Sequence, residues 1–152
     1  MDTDTENHTG KIVVGVDGSA SSLAALRQAS RQARLTGDEL HAYIAWHFPA
    51  NSGWVVDGID FADDARSTLE QAITDAALDD TATQQVHRHV VEGHPAWVLL
   101  NASDGADLLV VGSRGHGGFT GMLLGSVSQH AVAHAHCPVL VVRDITHNRT
   151  PR

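Results

Sequence analysis

A segment unusually rich in glycine and serine lies in the last third of the chain. It reads VVGSRGHGGFTGMLLGSVS over residues 110–128, and the apolar run LLVVG leads directly into it. Glycine is costly to order and adds no side chain to a core, so such a loop bends sharply or lets a ligand approach its main chain. A helix beginning near Gly125 and Ser126 would present unpaired N–H groups and the positive end of its dipole to an anion. The segment therefore predicts a site for the phosphates of a nucleotide.

Two charged residues accompany this predicted phosphate loop. Asp17 follows the first apolar run of the chain, and Arg114 lies inside the loop. Hydrogen bonds to a charged oxygen contribute about 1.5–3 kcal/mol each, so several loop donors and Arg114 together outweigh the repulsion of a distant net charge. The Asp17 carboxylate is suited to accept hydrogen bonds from ribose hydroxyls or to hold a metal ion. The alternative role for Asp17 is that of N-cap of the first helix.

The histidines offer a second kind of chemistry. His130 and His134 are four residues apart, and His136 and Cys137 follow them, which is a spacing compatible with zinc. No further carboxylate or histidine stands at a fixed spacing from these residues, so we predict no metal site. Another pair of histidines, two residues apart in VHRHVV, is predicted to be exposed on an edge strand.

The composition excludes several classes of protein. The chain has 152 residues, a formal charge of −8 and a single lysine, which argues against binding to a nucleic-acid backbone. No run approaches the roughly 20 apolar residues needed to cross a membrane. One cysteine excludes an intramolecular disulfide, and the acidic N-terminus lacks the apolar region of a secretion signal. We predict a cytoplasmic protein with a disordered tail over residues 1–10, one domain over 11–143 and a flexible tail over 144–152.

Strand and helix patterns alternate along this domain. Helical periodicity places Leu23, Leu26, Ala29 and Ala33 on one stripe. Strands are predicted at 11–17, 39–46, 84–93, 107–112 and 138–143, and helices at 19–37, 61–78, 94–103 and 126–135. This alternation predicts an α/β fold of the Rossmann-like kind, with a five-stranded parallel sheet and helices on both faces.

Two strand orders suit such a chain, 3-2-1-4-5 and the flavodoxin-like 2-1-3-4-5. The first and fourth strands, IVVGV and LLVVG, are continuously apolar as central strands are, whereas VHRHVV carries the charged and polar His87, Arg88 and His89. Only the order 3-2-1-4-5 puts the third strand at an edge. That order also makes strands one and four neighbours, so Asp17 is expected to face the glycine-rich loop.

The fifth strand is predicted to form the other edge although it is apolar. An apolar edge without lysine invites pairing with a second chain. We therefore predict a homodimer about a two-fold axis, formed through Val139, Leu140, Val141 and Val142. The alternative is that the C-terminal tail or a helix of the same chain covers this edge.

The glycine spacing resembles a known signature. Gly112-x-x-Gly115, nine further residues and then Gly125-Ser126 are similar to the ATP-binding signature of the universal stress protein family. The resemblance extends to VGVDGS, EGHPAWVLLNAS, ADLLVVGSRGHGGFTGMLLGSVS and HAHCPVLVVR. It implies an adenine nucleotide α-hydrolase-like fold, a homodimer that uses the final strand, and ATP as the ligand, alone or with Mg²⁺.

The resemblance also implies roles for individual residues. Gly15 and Asp17 would line the adenosine side, with Ala45 against the adenine. The ribose and phosphates would be held by Gly112, Ser113, Arg114, Gly115 and Gly117, and the helix N-terminus would add donors from Gly125, Ser126, Val127 and Ser128. The chain departs from the family at Ile44, where many members have histidine, and at Ala45, which replaces a larger aliphatic residue. The connection from Trp46 to about residue 60 is expected to be either a lid or a mobile loop.

No nucleophile–base arrangement is recognisable near the predicted loop, so we predict no catalytic residues. The leading hypothesis is an ATP-binding, nucleotide-dependent regulator of the stress response. The alternatives are a weak Mg²⁺-dependent ATPase or nucleotidyl-transferring protein of the same fold, and a flavin-binding, flavodoxin-like carrier.

Overall fold

The computed structural model describes residues 9–48, 60–115 and 124–144 of the chain. Strands and helices alternate along these ranges. In chain order they are β1 (Lys11–Gly15), α1 (Ala20–Thr36), β2 (Glu39–Trp46), α2 (Phe61–Asp75), α3 (Asp80–Gln85), β3 (His87–Glu92), α4 (Pro95–Ser103), β4 (Leu108–Gly112), α5 (Ser126–His134) and β5 (Val139–Val142). The predicted tails fall almost wholly outside the described ranges, so the domain boundaries stay a prediction.

The strands form one parallel sheet in the order β3-β2-β1-β4-β5. This result confirms the predicted fold class and strand order. The central strands β1 and β4 are buried on both faces, with Val13, Val14, Leu109 and Val110 at 0% exposure. The histidine-bearing β3 is an edge strand, as its mixed polarity indicated. Because β1 and β4 are neighbours, their carboxyl ends meet at the point where the strand order reverses.

The sheet separates two hydrophobic clusters. On one face, α1 and α2 pack through residues such as Leu26, Leu69 and Ile73 against Ile12 and Val14. On the other face, α4 and α5 pack against β1 and β4 in a smaller cluster, which contains Val13, Leu99, Ala102, Leu109, Val111 and Ala131. Helices therefore cover both faces of the sheet. None of the described helices is long and apolar enough to cross a membrane.

The segment between α2 and β3 differs from the sequence-based prediction. Helix α2 ends at Asp75 rather than near residue 78. An α-helix cannot continue through Ala77, because its φ is +52°. The unpredicted helix α3 then begins, because the Asp79 side chain accepts a hydrogen bond from the backbone N–H of Ala82 at 2.8 Å. The first residues that the sequence predicted for the third strand therefore belong to the end of α3 instead. Strand β3 starts only at His87.

Candidate functional site

A cavity of about 670 Å³ lies at the carboxyl ends of β1 and β4. The loop after β1 and the glycine-rich loop after β4 line it from opposite sides. An added Cβ on Gly115 would lie 2.7 Å from Oδ2 of Asp17, which shows how closely the two loops approach. The structure thus brings together the two polar features that the sequence placed at this switch point. The described lining residues are Gly15, Val16, Asp17, Ser22, Tyr43, Ala45, His47, His94, Pro95, Val98, Leu99, Val111, Gly112, Arg114, Gly115, Leu124, Gly125, Ser126, Val127, Ser128 and Gln129.

Asp17 is not the N-cap of α1. That role belongs to Ser19, whose hydroxyl accepts from the N–H of Ser22 at 3.3 Å. Oδ1 of Asp17 accepts from the N–H of Ser19 at 2.8 Å, so the carboxylate is held in a turn just before the helix. The residue is exposed and its Oδ2 is directed toward Gly115. The turn therefore orients Asp17 toward the cavity.

A side chain at each glycine of the site would meet one of two obstacles, either a packed helix or the Asp17 carboxylate. An added Cβ on Gly112 would lie 2.7 Å from the carbonyl carbon of Ser21, and one on Gly15 would lie 2.6 Å from Cδ1 of Leu99. These two glycines allow α1 and α4 to pack closely on β4 and β1. Gly115, in contrast, faces Asp17 and the cavity. The sequence assigned all of these glycines to the ligand; all three line the cavity, and two of them also give room for packing, so their contact with a ligand stays a prediction.

The amino terminus of α5 opens into the same cavity. Its N-cap is Gly125, which offers no side chain to the first N–H groups of the helix. An added Cβ on Gly125 would lie 3.3 Å from the backbone nitrogen of Gly115, so the two segments are in close contact. The backbone N–H groups of Ser126 and Val127 belong to the first helical turn, which has no intrahelical acceptors. A helix start without a side-chain cap provides donors for an anion.

Hydrogen bonds of Ser113 and Ser128 stabilise the contact between the loop after β4 and the start of α5. The Ser113 carbonyl accepts from the N–H of Gly125 at 2.6 Å, and its own N–H donates to the Val142 carbonyl at 2.8 Å. The buried hydroxyl of Ser128 lies 2.9 Å from the Gly125 carbonyl and 3.3 Å from that of Ser113. The Ser128 hydroxyl is thus directed to the protein's own carbonyls, whereas Ser126 is exposed. In the structure the Ser128 hydroxyl therefore holds the loop against α5, and a donation from it to a ligand stays a prediction.

The apolar half of the cavity lies over β2 and α4. Ala45 lines it, as expected, together with Tyr43, His47, His94 and Leu99. The rings of His47 and His94 are 6.2 Å apart. Sequence reasoning missed these two histidines because they lie 47 positions apart and meet only through the pairing of β2 with β3. The signal that could have revealed them is their position just beyond a strand end.

Four sequence-based expectations concern other positions. Ile44, where many family members have histidine, is 5% exposed in the cluster under α1 and α2 and does not line the cavity. Gly117 lies outside the described residues, as does most of the connection after Trp46, residues 49–59. Arg114 is exposed and lines the cavity.

A larger depression of about 960 Å³ lies near the amino ends of β2 and β3, away from the switch point and the glycine-rich loop.

The sequence profile of the Universal stress protein family matches residues 8–143. The chain belongs to this family. A universal stress protein of Mycolicibacterium smegmatis is 37% identical over 141 residues, which cover 87% of this chain and 45% of that protein. A universal stress protein of Mycobacterium tuberculosis is 37% identical over 136 residues, with 88% and 45% covered. The chain therefore spans about half the length of these curated relatives.

Solved structures of the family share the fold. A universal stress protein from Lactobacillus plantarum superposes with a TM-score of 0.71 at 23% identity, covering 89% of this chain and 98% of that one. A universal stress protein crystallised in complex with cAMP gives a TM-score of 0.64 at 31% identity, covering 88% and 95%. The fold of this chain, with its parallel sheet in the order 3-2-1-4-5, therefore matches the fold of these two family members.

Proposed function

We propose that this universal stress protein binds ATP and acts as a nucleotide-dependent regulator of the stress response. One observation carries the proposal: the uncapped start of α5, the Gly115 backbone and the Asp17 carboxylate converge on one cavity at the sheet's switch point. Anion donors and a carboxylate in a single crevice match a ligand that has both phosphates and hydroxyls. The 31% identical neighbour in complex with cAMP supports an adenine nucleotide as the ligand class.

Three groups of cavity residues would bind the phosphates, the ribose and the adenine of the nucleotide. The N–H groups of Ser126 and Val127, with Arg114, would bind phosphate oxygens, because the helix start provides unpaired donors and the positive end of a dipole. Asp17 would accept from the ribose hydroxyls. Ala45 would pack against the adenine, with His47 and His94 at the same end of the cavity.

Regulation by binding is favoured over catalysis. Asp17 is the sole carboxylate among the described residues that line the cavity. Mg²⁺ is usually held by one or two carboxylates together with substrate phosphates, so Asp17 and the phosphates would hold any accompanying ion. Phosphoryl transfer also needs a group that positions the attacking water. The alternative, a weak Mg²⁺-dependent ATPase, is tested by phosphate release over many turnovers.

A matched pair of variants tests the site. Asp17→Ala should weaken ATP binding about tenfold or more by calorimetry, because hydrogen bonds to a charged group contribute about 1.5–3 kcal/mol. The control Asp79→Ala removes the N-cap of α3, which contributes no described residue to the cavity, and should lower the free energy of unfolding by about 1 kcal/mol. We expect it to leave ATP affinity close to that of the wild type.

The same measurements can reject the proposal. Calorimetry with ATP, AMP and cAMP on the nucleotide-free wild type should give the tightest binding for ATP. A wild type that binds none of the three, or an Asp17→Ala variant with unchanged affinity, would contradict the assignment. A yellow protein that releases flavin on denaturation would favour the flavodoxin-like alternative instead.

A further inference from the structure

Polar side chains from β2 and β3 form a cluster on the face of the sheet that also carries α4 and α5. The parallel register pairs His41 with His87 and Tyr43 with His89. Since side chains two residues apart share a face of a strand, Glu39 and His41 lie beside His87 and His89. In sequence, the cluster lies at least 23 residues from every glycine of the proposed nucleotide site, and of its members only Tyr43 lines the nucleotide cavity.

The distances within this cluster suit a metal ion. Nε2 of His41 lies 3.0 Å from Oε2 of Glu39, and Nε2 of His87 lies 4.0 Å from the same oxygen. One ligand atom from each of these three residues lies within 4.8 Å of the others. Ligand atoms at about 2.0–2.2 Å from a tetrahedral zinc ion are roughly 3.3 Å apart, which falls between the two observed separations. The three groups can therefore reach one ion with small side-chain movements.

We infer that Glu39, His41 and His87 bind a divalent transition-metal ion, with zinc as the ion that this ligand set favours. Two imidazoles and one carboxylate are typical zinc ligands, and imidazole suits zinc better than the harder Mg²⁺ or Ca²⁺. Three protein ligands leave at least one coordination position for water or another molecule. Glu39 and His87 are exposed and border the larger depression, so an ion reaches them from solvent.

His89 positions His41 for this role. Its Nε2 lies 2.9 Å from Nδ1 of His41, and its ring stacks on Tyr43 with centroids 4.2 Å apart. A metal-binding histidine commonly donates its second ring N–H to a neighbouring acceptor, which fixes the ring and raises its basicity. Nε2 of His89 is the acceptor that would hold the Nδ1–H of His41 in this arrangement.

One ring must turn for both imidazoles to aim at the same ion. The rings of His41 and His87 are stacked with centroids 4.3 Å apart and planes 10° from parallel. His41 is restrained by its hydrogen bond to His89, whereas His87 is exposed. Rotation about the broad χ2 torsion of His87 is therefore the expected adjustment on metal binding.

Zinc titration of the full chain tests the inference. The chain is freed of metal and nucleotide and titrated with ZnCl₂ by calorimetry, and Co²⁺ titration followed by visible absorption reports coordination directly. The double variant Glu39→Gln with His87→Ala should lose one equivalent of bound Zn²⁺, or bind it at least about tenfold more weakly. The control, His130→Ala with His134→Ala, removes a histidine pair on α5 whose rings are 6.1 Å apart, outside the cluster, and should bind like the wild type.

The outcome distinguishes this site from the nucleotide site. All substituted ligand positions are exposed, so the variants should keep the wild-type circular dichroism and ATP affinity. The inference is overturned if the wild type binds no Zn²⁺, if the Glu39→Gln and His87→Ala variant binds it unchanged, or if the His130 and His134 control loses the equivalent instead. His89→Phe, which keeps the ring stack but removes Nε2, should weaken Zn²⁺ binding while the metal-free protein keeps the wild-type circular dichroism.

Discussion

At the scale of single residues, a substitution at Gly115 tests ligand binding apart from folding. An added Cβ there would lie 2.7 Å from Oδ2 of Asp17, the end of an exposed and flexible side chain. We expect Gly115→Ala to displace this carboxylate and to weaken ATP binding about tenfold or more, while the free energy of unfolding changes by less than about 1 kcal/mol. Calorimetry with ATP and urea denaturation measure the two effects.

Gly105→Ala is the matched control at this scale. Gly105 has a φ of +75° and no atom within 4 Å of an added Cβ, so the change strains the backbone without touching the cavity. It should lower the free energy of unfolding by about 1–2 kcal/mol, because L residues disfavour this region, and leave ATP affinity unchanged. Equal losses of affinity in the two variants would mean that Gly115 has no special part in binding.

At the scale of secondary-structure elements, Gly112 determines how closely α1 approaches β4. Its added Cβ would lie 2.7 Å from the carbonyl carbon and 2.9 Å from the carbonyl oxygen of Ser21, and this backbone cannot move without shifting the helix. We expect Gly112→Ala to lower the free energy of unfolding by about 1–3 kcal/mol, the usual effect of overpacking. Urea denaturation of the nucleotide-free protein checks this. A variant of wild-type stability that has lost only ATP affinity would show that Gly112 is a ligand-contacting glycine instead.

At the scale of the whole molecule, the outer edge of β5, the last strand of the described sheet, is where we expect a second copy to bind. Leu140 and Val142 pack toward α1, and Val139 and Val141 toward the cluster under α4 and α5, so the side chains are engaged within the chain. The carbonyls of Pro138 and Val142 accept hydrogen bonds from β4. By alternation, the N–H groups of Val139 and Val141 point away from β4. Backbone pairing through these groups would extend the sheet across a two-fold axis.

Val141→Pro tests the dimer without disturbing the bonds to β4. Proline removes one outward N–H and is tolerated on an edge strand. We expect a dimer for the wild type and for the control Val141→Ala, which keeps the N–H, but a monomer for Val141→Pro, all measured by light scattering at micromolar concentration. A monomeric wild type, or a Val141→Pro variant that is as dimeric as the control, would contradict pairing through β5.

The sequence by itself determined the architecture and the two loops that meet at its switch point. Continuous apolar runs marked β1 and β4 as central strands, and the polar residues of VHRHVV marked β3 as an edge, which left one strand order. Glycines followed by a helix start marked the loop that meets Asp17. These features are local patterns of polarity and backbone freedom, so they can be read along the chain without knowledge of its contacts.

Only the tertiary structure decided what the individual groups do. Ser19 caps α1 in place of Asp17, Gly112 gives room to the Ser21 backbone, and the Ser128 hydroxyl turns inward to the chain's own carbonyls. His41 meets His87 only because β2 and β3 pair in one particular register. A shift of that register by one residue would place the two rings on opposite faces of the sheet. Spacing along the chain carries no information about register between strands or about the direction of a side chain, because contacts between residues distant in sequence determine both.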